Sequence, residues 1–268
     1  LVAPRLVAPA TYAYPVEAGT DLFAATMLSG LSIGGTPQQD WRWLPPLCAR
    51  LGSALRECHE RSSELHTRPA LPRANDVTRR VRGLLGADAP PEVAAVRAAL
   101  GECPRLRVAQ AAALRRFRRS PDPVTLHGRY APGQMLVQSP PERVASPAVY
   151  VAGWLEAATG PAAYDAGYFI GELMELAATA TDLRHEEAER GLHAAVSGFY
   201  DAYVSGSAAR LPGDFAEQVA AFAALKIIEH LARFAQYFGD PGPGAARLLH
   251  AADALLCPEQ GLTRVFAG

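Results

Sequence analysis

The chain has 268 residues, 49% of them hydrophobic and 20% charged, with a formal net charge of −1 at pH 7. That length supports one large or two small domains with a real core, and a charge this near zero excludes whole-molecule attraction to nucleic acid or to an anionic membrane surface. No run of about twenty uninterrupted apolar residues is present, which excludes a membrane-spanning helix.

Four cysteines, Cys48, Cys58, Cys103 and Cys257, form no C-x-x-C pair; they predict reduced thiols in a cytoplasmic protein, with neither a disulfide framework nor a metal site. Residues 1–35 alternate apolar and small polar positions and are broken at Pro4, Pro9 and Pro15, a pattern that predicts short strands. The same prolines leave the first fifteen residues without the apolar core of a signal peptide. A turn at Ile33–Pro37 precedes Asp40, which is placed to cap a helix running to about Ser62. Residues 63–90 are polar, proline-dotted and arginine-rich, as in an exposed excursion. Two helices are predicted over Pro91–Leu100 and Arg105–Arg119. Short strands near 124–126, 135–138 and 148–152 then flank the stretch HGRYAPGQMLV.

From Ala162 onward the pattern is helical, over 162–180, 185–204 and 245–257, with a long helix opening at Asp214. Glu217 stands three residues after Asp214, the spacing of a capping box. Phe215, Val219, Phe222, Leu225, Ile228, Leu231 and Phe234 recur every three or four positions, so one face of that helix is expected to be buried. The fold class is α+β with a mostly helical second part.

His127–Gly128–Arg129–Tyr130–Ala131–Pro132–Gly133–Gln134–Met135–Leu136–Val137 resembles the catalytic loop of the aminoglycoside and choline phosphotransferases, relatives of the protein kinases, whose form is H-G-D-x-x-x-x-N-I-L-V. Three further segments follow the same family in order. Thr20–Ile33 resembles its last N-lobe strand and hinge, and LGSALRECHE at 51–60 the helix after it. The third runs from Val151–Glu156 to Gly160–Gly167, where the family has V-I-D-W-E and G-D-P-A-x-D-L; Trp154, Gly160 and Asp165 fit this pattern. The resemblance implies a protein-kinase-like fold, with 1–36 as the end of an N-lobe and hinge and 37–268 as a helical C-lobe carrying the loop-like segment 124–156.

The resemblance also implies that the chemistry has been removed. The family's Asp that orients the acceptor hydroxyl is Arg129 here, and an arginine is not a base at ordinary pH. The magnesium-holding Asn is Gln134 and the main magnesium ligand is Gly153, which has no side-chain oxygen to offer a cation that demands hard oxygen ligands. Lys226 is the only lysine in the chain, so none of these residues matches the N-lobe lysine that grips ATP phosphates. Asp165 corresponds to the buried Asp that braces the catalytic loop, and His127 to a packing and hydrogen-bonding residue.

Read as residues, Arg129 is either a receptor for a phosphate or carboxylate, which its planar fork suits, or a side chain that faces solvent or pairs with an acid such as Asp122 or Asp165. Arg129, His127, Gln134, Glu156 and Asp165 are the ligand-binding candidates of the cleft; no catalytic residue and no metal site is assigned. Arg105, Arg107, Arg115, Arg116, Arg118 and Arg119 make a basic helix, better explained as a solvated face than as a nucleic-acid site, because Phe117 alone is present to stack bases. Tyr164, Tyr168, Phe169 and Trp154 are expected in the core, and Gly128 and Gly133 as turn glycines.

The expected function is that of a catalytically degenerate pseudokinase that binds a peptide or protein partner in a bacterial biosynthetic complex, with no cofactor. The alternative is an ATP- and magnesium-dependent phosphotransferase acting on a small molecule or on Ser/Thr of a precursor peptide, with Glu156, Asp165 or Glu172 recruited as ligands.

Overall fold

The computed structural model describes residues 5–8, 11–13, 19–21, 41–62, 81, 83, 86, 89–118, 123–138, 149–182, 186–205, 211–240 and 244–257. Most of the hinge-like stretch Thr20–Ile33, the turn at 33–37, Asp40 and most of the 63–90 excursion lie outside these residues.

Short antiparallel strands occupy the first part. A hairpin pairs β1 (Arg5–Ala8) with β2 (Thr11–Ala13). Strand β3 (Gly19–Asp21) pairs with β5 (Met135–Gln138), which pairs in turn with β6 (Val149–Val151). Thr20 stands opposite Val137, and Leu136 opposite Tyr150. The strand at the start of the Thr20–Ile33 stretch is thus hydrogen-bonded directly to the strand that leaves the 127–134 loop. A further pair, β4 (Val124–Leu126) with β7 (Ala158–Gly160), closes the other side of that loop.

The helices are α1 (Leu44–Ser62), α2 (Ala94–Gly101), α3 (Pro104–Arg118), α4 (Ala163–Asp182), α5 (Glu186–Ser205), α6 (Phe215–Phe238) and α7 (Ala245–Leu255). Helix α1 packs on α5, α4 on α5 and α6, and α7 on α6. Small residues set how close these helices come. A Cβ at Gly52 would run into the Phe199 carbonyl of α5, and Cβ atoms at Gly167 and Gly171 would meet Phe222 and Lys226 of α6. Buried Leu44, Leu47, Leu51 and Leu55 line one face of α1, the spacing expected of a helix with one apolar stripe.

Helix α6 is the centre of the bundle. The predicted face is buried at Phe215, Val219, Phe222, Leu225, Ile228 and Leu231, while Phe234 is only partly so. Ala220, Ala221, Ala223, Ala224 and Ile227 are buried as well, so over three turns the helix is covered almost all round, as befits a core helix.

Its start departs from the predicted capping box. Asp214 is the N-cap residue but makes no side-chain bond to the helix backbone. Its carboxylate instead accepts from the Arg116 guanidinium of α3 and the Gln218 amide. A charged donor from another helix outcompetes a neutral backbone amide for the same oxygens. At the other end Gly239, in the left-handed region, donates to Ala235 O at 2.8 Å and stops the helix.

Candidate functional site

The loop from His127 to Gln134 is held from beneath by one carboxylate. Asp165, in the first turn of α4 and 0% exposed, accepts from the backbone N–H of His127 at 2.6 Å and of Gly128 at 3.0 Å. Its Oδ2 also lies 3.3 Å from His59 Nε2, and His59 Nδ1 lies 2.8 Å from the Tyr203 hydroxyl. One buried carboxylate therefore ties the loop to α1, α4 and α5. Packing supports the same arrangement. Tyr130 donates from its hydroxyl to Leu51 O, and its ring meets Phe169, which stacks on Phe199 at 4.4 Å between centroids. Tyr164, Tyr168 and Phe169 are buried and Trp154 is partly so, so these aromatics belong to the core.

His127 is locked on both ring nitrogens. Nε2 lies 2.6 Å from Ala152 O, and the Arg129 amide donates to Nδ1 at 3.3 Å. A carbonyl needs a donor and an amide needs an acceptor, so this pair of contacts fixes the neutral Nε2–H tautomer. Burial lowers its pKa, against an opposing pull from Asp165. His127 is thus a brace of the loop, closed between Ala152 and Trp154.

Two glycines shape the site, and both have positive φ. Gly128, at φ 82°, sits where a Cβ would overlap the carbonyl of Glu156, so the loop and the Trp154–Glu156 turn touch backbone to backbone. Gly153, at φ 77°, lies directly under the Gln134 side chain, whose terminal amide fills the space in which a Cβ on residue 153 would stand. The backbone repeats the link, with Ala152 N donating to Gln134 O at 2.8 Å. Gly133 differs from the expected turn glycine. Its φ is not positive and a Cβ there meets nothing within 4 Å, because the turn at Pro132–Gln134 is a right-handed 3₁₀ turn that any residue adopts.

Gln134 and Gly153, the two positions that the motif resemblance aligns with magnesium ligands, are therefore packed on each other. Between them they supply a neutral amide and a bare backbone. Magnesium takes near-octahedral hard-oxygen coordination, usually through one or two carboxylates, and this donor set does not fit it. Among the described residues no group of three or more His, Cys, Asp or Glu is placed to hold a metal ion.

Arg129 is the most exposed of the loop candidates. Its side chain is 52% exposed, and its Nη1 is 3.5 Å from Glu156 Oε1, with Glu156 40% exposed. Of the two acids named as partners in the sequence reading, Asp122 lies outside the described residues and Asp165 is spent beneath the loop. Among the described residues the partner is Glu156, delivered by the turn that abuts Gly128.

A second charged group, which spacing did not reveal, lies between α4 and α6. Lys226 is 7% exposed, donates to Glu175 at 2.9 Å, and stands 3.4 Å from Glu172. His230 Nδ1 is 3.1 Å from Glu175. Burial pushes Glu175 up, yet Lys226 and His230 outweigh it and hold the carboxyl below its ordinary range. For Glu172 burial prevails over Lys226 and the pKa is raised, with Arg129 contributing a small opposing attraction. The lone lysine of the sequence was the visible signal; its pairing with Glu172 and Glu175 of α4 was not.

The basic helix is partly neutralised from within. Arg105 pairs with Asp253 of α7 and Arg116 with Asp214, so these arginines fasten α3 to the bundle.

No helix among the described residues is long and apolar enough to cross a membrane. No family model and no curated protein matches the chain. Among solved structures, a choline/ethanolamine kinase family protein from Mesorhizobium loti is similar to it at 15% identity, over 99% of this chain and 78% of that one, with a TM-score of 0.49.

Proposed function

We propose that this chain is a phosphotransferase-like pseudokinase that keeps the loop as a binding scaffold for a peptide or protein partner, within a bacterial biosynthetic complex. The observation that supports this reading is the contact between Gln134 and Gly153, in which a neutral side chain fills the place a metal-ligating side chain would leave from. Phosphoryl transfer depends on positioning and on neutralising charge at the phosphates. A site that offers neither a metal-binding carboxylate at 153 nor a base at 129 supplies little of either. The acids that a rerouted chemistry would recruit are also engaged: Asp165 by the loop backbone, Glu156 by Arg129.

Glu172 supports the alternative, an active ATP-dependent phosphotransferase on a small molecule or on Ser/Thr of a precursor peptide. Its carboxylate is partly accessible, and Lys226 is its ion-pair partner among the described residues. The deciding experiment follows nucleotide binding and phosphate release with the purified protein, ATP and magnesium. The expected result is no magnesium-dependent turnover. Turnover that Glu172→Gln or Glu156→Gln abolishes would overturn the pseudokinase reading in favour of the enzyme.

A further inference from the structure

Arg129 is held at its backbone and loose at its tip. Its amide donates to the locked His127 ring, and the two amides before it are taken by Asp165, so its Cα has a fixed place at the crest of the loop. The guanidinium is half exposed and meets Glu156 through a single nitrogen at 3.5 Å. That distance is too long for a good charge-assisted hydrogen bond, which falls near 2.7–2.9 Å. The fork carries five N–H donors in one plane, and among the described residues this contact leaves its paired donors unused.

From this geometry we propose that Arg129 is an oxyanion receptor that Glu156 keeps closed in the free protein. The proposal rests on the reading of the loop as a binding scaffold, and adds how that scaffold is regulated. Glu156 is the internal stand-in for the ligand, because it presents a carboxylate from a turn whose backbone is already pressed against Gly128. An exposed ion pair of this kind contributes little, so a ligand that offers two oxygens to the fork displaces it. The ligand class is a phosphate monoester or a carboxylate.

Inorganic phosphate and, separately, acetate are titrated into the wild-type protein, Glu156→Gln, Arg129→Gln and the double variant, with binding followed by backbone amide shifts of the loop. Glu156→Gln is expected to bind about two- to fivefold more tightly than wild type, the range set by a half-exposed pair. Arg129→Gln is expected to lose binding, and the double variant to bind no better than Arg129→Gln. Tighter phosphate than acetate assigns a phosphate monoester as the natural ligand; the reverse assigns an acidic side chain. Binding that persists in Arg129→Gln, an affinity unchanged by Glu156→Gln, or no binding to any variant overturns the proposal. Magnesium-dependent turnover alongside the expected phosphate behaviour would sink the pseudokinase reading and leave this receptor standing.

Discussion

Replacing Asp165 with alanine removes the acceptor of two buried backbone donors, His127 N at 2.6 Å and Gly128 N at 3.0 Å, and of the more distant His59 Nε2 at 3.3 Å. The site is closed to water, since Asp165 is 0% exposed and His127 and His59 are buried beside it. A buried donor left without a partner costs about 1–3 kcal/mol. The two short bonds alone therefore put the loss at about 2–6 kcal/mol, before any contribution from His59. For a chain of this size each kcal/mol moves the melting temperature by about 2–4 °C, so the transition is expected to fall by roughly 4 °C or more. Asp165→Asn keeps one carbonyl oxygen for the two amides and is expected to melt between wild type and alanine. Arg129→Ala serves as the control, because that side chain is half exposed and is expected to stay within about 0.5 kcal/mol of wild type. Differential scanning calorimetry of the four proteins is the assay. An alanine variant that melts with the wild type would show that the loop does not depend on this carboxylate.

Gly128→Ala is expected to destabilise the protein by more than the roughly 1–2 kcal/mol of a left-handed backbone alone, since its methyl group meets the Glu156 carbonyl, whereas Gly133→Ala, with open space around it, is expected within about 0.5 kcal/mol; equal urea midpoints for the two would refute the assignment. Lys226→Met removes the buried cation that Glu172 and Glu175 share and is expected to cost about 3–5 kcal/mol at neutral pH, so wild-type stability in urea would refute a structural role for this lysine. Glu172→Gln is expected to do the opposite. Because burial raises the folded-state pKa of Glu172, its contribution is full below the ordinary carboxylate value and is lost as pH rises through the raised one. The variant should therefore gain on wild type with rising pH across that window, and melts that show a pH-independent difference would contradict it.

Much of this was legible because it is local. The helical periods of α1, α4, α5 and α6, the strands beside the loop and the role of Asp165 are written in spacings of a few residues or in one short motif. What the sequence hid depends on contacts between distant segments. Strand β7 is Ala158–Thr159–Gly160, with little β-propensity of its own, and exists because β4 lies beside it. Asp214 and Glu217 have the letters of a capping box, yet Arg116, 98 residues earlier, takes the carboxylate. Gly128 and Gly133 look alike in the motif; a positive φ and the approach of the Glu156 carbonyl, both at Gly128 alone, separate them. Arg129 was read as a receptor, or as a side chain that faces solvent or pairs with Asp122 or Asp165; the acid it meets among the described residues depends on where a turn 27 residues on comes to lie.

The carboxylate beneath the loop has a consequence for exchange with solvent. Amide protons in a surface turn normally leave through small local openings, whereas those bound to a buried group leave only when the surrounding structure opens. The amides of His127 and Gly128 belong to no helix or strand, yet they end on Asp165 inside the bundle. Their protons should persist as long as those of α4 itself, while the half-exposed side chain at 129 above them can be exchanged for another without disturbing the bundle. The loop's outline is in this sense a property of the helical core, and its reactivity a property of the few side chains laid on top.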